Sequence, residues 1–362
     1  MPQGSPLLTA VELAGTGVHP ASWRRADSRA EELFTAGYWV DLVGAAERAG
    51  LDLAFLPDSF ALQAEGVRGR PEAAGIAARV APATGRIGLI PQVPVTHTEP
   101  FHVSKAVASL DYATSGRAGW EVTVSPGVQQ ARLFGRKSEQ PEVSLWHEAD
   151  EAIEVVTRLW DSWEDDAEIR DVPTGRFIDR DKLHYIDFVG DHFTVKGPSI
   201  TPRSPQGQPL VAVRASGADA TRVAVRRADL IRIRADDPAA AAETRAALRT
   251  AVAAAGRDPD LIRVLLDIEV HIAATAEVAA DEVAQLEQWI PTPAAGTLRH
   301  IGTSGSLRAL LDTAHRQESA DGVVLRPLAL PAFLERLSAP LTTLRGRLGL
   351  PRPLNRYTTE RV

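Results

Sequence analysis

Two short stretches of this 362-residue chain carry most of its readable chemistry. The run Leu266-Asp267-Ile268-Glu269-Val270-His271-Ile272 alternates polar and aliphatic side chains. Successive side chains of a strand point to opposite faces, so Asp267, Glu269 and His271 fall on one face. The run Leu230-Ile231-Arg232-Ile233-Arg234 separates two arginines from its aliphatics in the same way. In a closed barrel the aliphatic faces pack on outer helices and the charged faces point inward. Arg232 and Arg234 are therefore expected to pair with Glu269 or Asp267, and Arg214 and Arg326 are placed to join them. Two readings follow from this. One is a structural ion-pair ladder, because buried charges persist only when paired. The other is a basic pocket for an anionic ligand, built on Arg214, Arg234 and Arg326.

His19, His97, His102 and His184 are candidates for proton transfer, because imidazole titrates near neutrality. A hydrogen-bonded structural role is the alternative for each. None of them combines metal-ligand spacing with a third acidic partner, so no metal site is expected. The chain has no cysteine, which removes disulfides, thiolate zinc sites and a Cys nucleophile. Gly15-Thr16-Gly17 lacks the third glycine and following helix of a dinucleotide fingerprint.

The elements that must position these residues alternate regularly. Short apolar runs near residues 7–13, 51–56, 87–90, 120–124, 210–213, 230–233, 264–272 and 322–325 read as strands. Between them lie segments of helical period at 39–49, 73–80, 103–112, 145–163, 218–227, 239–255, 279–289 and 306–317. Eight strand–helix units suit a closed (β/α)8 TIM barrel in one domain spanning residues 1–362; an open doubly wound sheet is the structural competitor. Residues 164–208 break the rhythm with turn formers such as DVPTG and SPQGQP. They read as an insertion between the fourth helix and fifth strand that covers the barrel mouth, with His184 directed inward. A net charge of −7, spread without basic blocks, argues against nucleic acid and membrane as partners. The N-terminal residues lack the pattern of a signal peptide, so a cytoplasmic protein is expected.

Several phrases, in order, resemble one family. They are HPASWR at 19–24, YWVDLVGAAERAGLDLAFLPDS at 38–59, EPFHVSKAVASLDYATSGRAGWEVTVS at 99–125 and ARLFG at 131–135, followed by residues 149–167 and 182–209. The chain resembles the luciferase-like flavin-dependent monooxygenases, in the branch of nitrilotriacetate and dibenzothiophene-sulfone monooxygenases. The resemblance implies a (β/α)8 barrel and reduced FMN, supplied by a separate flavin reductase, that works with O2 on a small-molecule substrate. It implies that FMN lies at the barrel mouth, with Asp58 near it. Arg214, Ser216 and Gly217 stand where the family has a Gly-x-Ser phosphate loop. Glu121 replaces the Asn of the family's GWN. Leu145-Trp146 replace an Arg-Tyr pair that helps hold the phosphate, and Pro94 and Val95 replace small hydroxyl residues. The catalytic candidates on this basis are His19, His97, His184 and Glu121. The alternative is a non-catalytic homologue that has lost flavin binding and serves as a partner subunit or a small-ligand-binding barrel; a homo-oligomer or a heterodimer with a related subunit is the assembly expected.

Overall fold

The computed structural model describes residues 7–330, 333–334 and 353–354. In chain order the elements begin β1 (Leu8–Glu12), α1 (Ala36–Arg48), β2 (Leu53–Leu56), α2 (Ala73–Val80), β3 (Gly88–Pro94), α3 (Pro100–Ala113), β4 (Gly119–Thr123), α4 (Val128–Phe134) and α5 (Glu142–Asp161). Four short strands follow: β5 (Glu168–Asp171), β6 (Arg176–Ile178), β7 (Phe188–Val189) and β8 (Thr194–Val195). The chain then returns to the main rhythm with β9 (Leu210–Arg214), α6 (Ala218–Arg227), β10 (Leu230–Ile233), α7 (Pro238–Ala254), β11 (Arg263–Ile272), α8 (Ala276–Trp289), β12 (Arg299–Gly302), α9 (Ser304–Arg316) and β13 (Gly322–Pro327).

Eight of these strands close a ring in the order β1, β2, β3, β4, β9, β10, β11, β13, with β13 returning to β1. Every pairing in the ring is parallel. The fold is the (β/α)8 TIM barrel. Five of the nine described helices start where a side chain satisfies orphan amides of the first turn. Asp237 accepts from Ala239 and Ala240 at the start of α7, and Thr303 and Ser306 form a reciprocal cap on α9.

Two elements lie outside the alternation argument. The strand β12 reads Arg-His-Ile-Gly, with one aliphatic residue and no period to detect. It pairs with the upper half of β11, from Glu269 to Ile272. That half outruns β10, which pairs only with residues 263–266, and so leaves an edge open. The helix α4 is two turns long and sits in a connection that reads as loop.

The barrel interior is built in two layers. The lower one is apolar: Ala10, Leu53, Phe55, Ile90, Leu210, Leu230, Leu265 and Val324 pack together with almost no exposure. Glycines let the strands approach here. A Cβ on Gly322 would lie 2.7 Å from Leu8 Cβ and 2.8 Å from Leu8 O. One on Gly119 would lie 2.9 Å from Leu210 O. The upper layer is charged, and it forms the floor of the mouth.

Residues 164–208 pack mainly at the far end of the barrel, and the tip of their second hairpin, His192 and Phe193, reaches the mouth loops beside His97 and Lys137. The segment leaves α5 at its C-terminal end, which in this fold is the end of the barrel opposite the C-terminal strand ends. Arg203 pairs with Asp161 at 3.1 Å, Gln206 binds Asp111 at the end of α3, and His184 pairs with Glu164 at 2.8 Å. His184 is therefore remote from the mouth rather than directed into it. Only the turn of the β7–β8 hairpin climbs the flank of α5. There the Asp191 and His192 amides donate to Glu151.

Replacing Gly322 by Ala should destabilise the protein by about 1–3 kcal/mol, since the added methyl meets backbone that cannot yield. At Gly37 in α1 a Cβ meets nothing within 4 Å. There the same change should stabilise by up to about 1 kcal/mol. Urea unfolding of the two variants measures both signs.

Candidate active site

Arg232 stands at the centre of the upper layer and is completely buried. Its Nε and Nη2 donate to the two oxygens of Asp267 at 2.9 and 3.0 Å. Nη1 donates to Glu121 at 3.0 and 3.2 Å, and Nη2 also reaches Glu12 at 2.6 Å. The guanidinium thus has carboxylate partners from β1, β4 and β11. Its outer face rests on the Phe55 ring, 4.7 Å from the centroid. Burial alone would lower its pKa; Asp267, Glu121 and Glu12 outweigh that and hold it well above the ordinary value.

The carboxylates are shared outward. Arg214 donates to Glu12 at 3.0 Å, and Arg326 donates to the other oxygen of Glu12 at 3.0 Å. Gln92 donates to Glu121 at 2.7 Å, and its own carbonyl oxygen accepts the Asp58 amide at 3.0 Å. Burial pushes the Glu12 carboxyl up; Arg232, Arg214 and Arg326 together bring it well below the usual carboxylate range.

The strand alternation therefore places Arg232 and Asp267 correctly. Glu269 instead binds Arg299 on β12 at 2.8 Å and lies 3.4 Å from Arg326. Arg234 lies just beyond the last residue of β10 and is exposed, with no ion pair to a described residue. Its pKa is lowered by burial of part of the side chain and then by Arg326 and Arg214. One cation at the mouth is left uncompensated. His271 pairs with Glu282 of α8 at 2.6 Å rather than with the arginines.

The other expected site residues are scattered. Asp58 follows β2, and its carboxylate accepts the amides of Ser59 at 2.7 Å and Ala73 at 2.9 Å, which tie the loop to α2. Burial raises its pKa despite those bonds. Arg214 is half-buried and held toward the ion cluster by Glu12 at 3.0 Å. Ser216 and Gly217 are exposed at the N-terminus of α6, where no side chain caps the helix. His97 follows β3 and stacks on Phe134 of α4 at 4.6 Å, with Phe60 beside it. Burial and then Lys137 lower its pKa, and its ring nitrogens are buried without a described partner. His19 is buried, accepts the Ala21 amide, and faces Glu287 on α8 at 3.6 Å. His102 is exposed on α3.

Leu145 and Trp146 are 2% and 5% exposed, and Trp146 belongs to the main core cluster. Sequence reasoning missed Glu12, although a lone acid in the apolar run LTAVE is a signal. It also missed Arg70, in the loop after β2. No metal site was expected from the candidate histidines. His147, Glu151 and Asp191 do bring three potential ligand atoms within 4.8 Å of one another on the flank of α5. The i, i+4 spacing of the first two was legible. No described helix is long and apolar enough to cross a membrane.

A family model described as luciferase-like monooxygenase matches residues 16–333. The chain belongs to this family. It is 36% identical over 283 residues, 77% of its own length, to N-acetyl-S-(2-succino)cysteine monooxygenase of Bacillus subtilis (strain 168). It is 31% identical over 291 residues, 76% of its length, to nitrilotriacetate monooxygenase component A of Aminobacter aminovorans. In both cases the match spans 64% of the relative, so the chain covers just under two thirds of those proteins. It is 32% identical to one of the subunits of pristinamycin IIA synthase of Streptomyces pristinaespiralis, over 89% of this chain and 92% of that one. EDTA monooxygenase from Chelativorans sp. BNC1 shares the fold, with a TM-score of 0.83 at 22% identity over 96% of this chain and 99% of that one.

Truncating Arg232 to Ala would remove both hydrogen bonds it gives Asp267 and the only described cation hydrogen-bonded to Glu121. A loss of about 3–5 kcal/mol is expected in chemical unfolding. The depressed Glu12 pKa stabilises the fold above its unfolded value, and this stabilisation is lost as pH falls toward the folded value. Stability should hold from neutrality to about pH 5 and fall below it. The Glu12→Gln variant should be less stable at neutrality and show a flatter acid limb in melting temperature against pH.

Proposed function

We propose that the chain is a flavin-dependent monooxygenase that works with O2 on a small organic substrate and takes reduced FMN from a separate reductase. The observation that carries this reading is the state of Glu121. Its carboxylate is consumed by Arg232 and Gln92, so the residue standing in place of the family's Asn adds no free negative charge beneath an electron-rich reduced ring. The residues fit FMN, with fewer phosphate donors than the family pattern has. The uncapped amides of α6 and the exposed Ser216 hydroxyl would hold the phosphate, since a helix N-terminus favours an anion. The uncompensated Arg234 adds positive potential at the same mouth. Leu145 supplies no donor, and Trp146 is almost wholly buried.

Bound at this mouth, reduced FMN would supply the electrons for activating O2. The chain's own part is to hold the ring over a neutralised floor, exclude water with the His97, Phe60 and Phe134 cluster, and orient the substrate beside Asp58. His97, with its unshared ring nitrogens, is the proton acceptor this arrangement favours.

A second reading has one observation in its favour. The end-to-end match to one subunit of a synthase, together with the filled position of Leu145 and Trp146, suits a related subunit that assembles with an active partner.

Fluorescence titration with FMN and riboflavin, followed by O2 uptake with an added flavin reductase, separates the two. The oxygenase reading expects FMN to bind more tightly than riboflavin. It also expects Ser216→Ala to weaken FMN about tenfold, the worth of roughly one phosphate hydrogen bond, with riboflavin unchanged. Absence of binding to either flavin, oxidised or reduced, supports the subunit reading instead.

A further inference from the structure

We propose that the cavity between the loops after β1 and β2 is the subsite for an oxyanion of the organic substrate, a carboxylate on an apolar body, with Arg70 as the group that grips it. This rests on the oxygenase reading above. The cavity measures about 310 Å³ and is lined by Leu33, Trp39, Pro57 and Ile76 on its apolar side, with Arg70 and Arg326 as its cations; of its two carboxylates, Glu12 is held by Arg326 and Glu65 is exposed at the rim. That is room for roughly ten water molecules at about 30 Å³ each, and too little for a whole flavin mononucleotide.

Arg70, like Arg234, differs from the paired arginines of the mouth. Arg214, Arg232, Arg299 and Arg326 each have a carboxylate within 4 Å. Arg70 makes no ion pair with a described residue, and its Nε is buried without a hydrogen-bond partner. The nearest negative charge is Asp58, whose two oxygens are already turned to the amides of Ser59 and Ala73. Burial pulls the Arg70 pKa down, and Asp58 only partly restores it. A desolvated guanidinium with unused donors gains most from a planar two-oxygen anion, which it can bind through two parallel hydrogen bonds.

The other cation of the cavity is committed. Arg326 holds Glu12 at 3.0 Å and reaches Glu269 at 3.4 Å. One oxyanion, rather than several, is therefore what the cavity reads, and the aliphatic and indole walls take the rest of the molecule. The flavin phosphate is a poor occupant. Its donors at Ser216 follow β9, which stands three strands from β2 around the ring.

Phenylacetate and its uncharged isostere phenylacetamide are suitable probes. Isothermal titration should show phenylacetate binding to the intact protein at least tenfold more tightly than phenylacetamide. In Arg70→Gln, confirmed folded by circular dichroism, phenylacetate should weaken at least tenfold while phenylacetamide and FMN bind as before. Arg70→Lys should recover part of the loss. Equal binding of the two probes by the intact protein, or undiminished phenylacetate binding by Arg70→Gln, would overturn the proposal. So would a loss of FMN affinity without loss of riboflavin affinity in Arg70→Gln, which would give Arg70 to the flavin phosphate. If the intact protein binds phenylacetate selectively but no flavin, the subsite stands and the oxygenase reading fails.

Discussion

The Arg232 guanidinium, sealed inside the barrel with carboxylates from three strands around it, is the interaction on which the upper half of this molecule depends. A buried cation is costly unless paired, and each partner brought in to neutralise it is itself buried and needs a partner. The chain answers with successive layers. Asp267, Glu121 and Glu12 surround Arg232, and Arg214, Arg326 and Gln92 stand behind them. Because these side chains project inward from β1, β3, β4, β9, β10, β11 and β13, one cluster ties together seven of the eight strands of the ring. The apolar layer below allows this by being complete in itself, with Gly119 and Gly322 admitting the strands at close range.

That cluster also decides which cations can meet a ligand. Arg214, which its sequence position made a candidate for a phosphate clamp, is drawn inward by Glu12. Arg234 continues the alternation of β10 in the sequence, but the strand has ended, and its side chain stands in solvent without a described partner. Of the two readings of the sequence, the ion-pair ladder takes Arg214 and Arg326 as well, both held by Glu12, so of the three arginines of the basic-pocket reading only Arg234 makes no ion pair with a described residue. Arg232 belongs to the ladder, while Arg234 and Arg70 retain charge for something outside the chain.

Much of this was legible in the residues. The eight strand segments of the ring, eight of the helices within a few residues of their ends, and the Arg232–Asp267 pair follow from periodicity and from which face of a barrel strand is enclosed. The family followed from phrases that composition could not supply. What escaped had no periodic signature. β12 has one aliphatic residue, and its place depends on β11 outrunning its neighbour. The course of residues 164–208 depends on Asp111 and Asp161, which capture Gln206 and Arg203 from far along the chain. Turn formers reveal where a chain bends but not which end of a barrel it returns to. On sequence alone Glu121 stands as a charge in the way of the flavin, because its neutralising partners lie on other strands, 29 and 111 residues away.

The neutrality of Glu121 is therefore the point on which structure and function meet most closely. It can be tested by comparing the intact protein with Glu121→Gln in one pair of measurements, chemical stability and FMN affinity by fluorescence titration. If Arg232 and Gln92 consume the carboxylate, the variant should lose stability while its FMN dissociation constant stays within about twofold, a change of under roughly 0.5 kcal/mol. A gain in FMN affinity of tenfold or more, with stability unchanged, would contradict this and show that the charge is felt by the flavin rather than by the barrel.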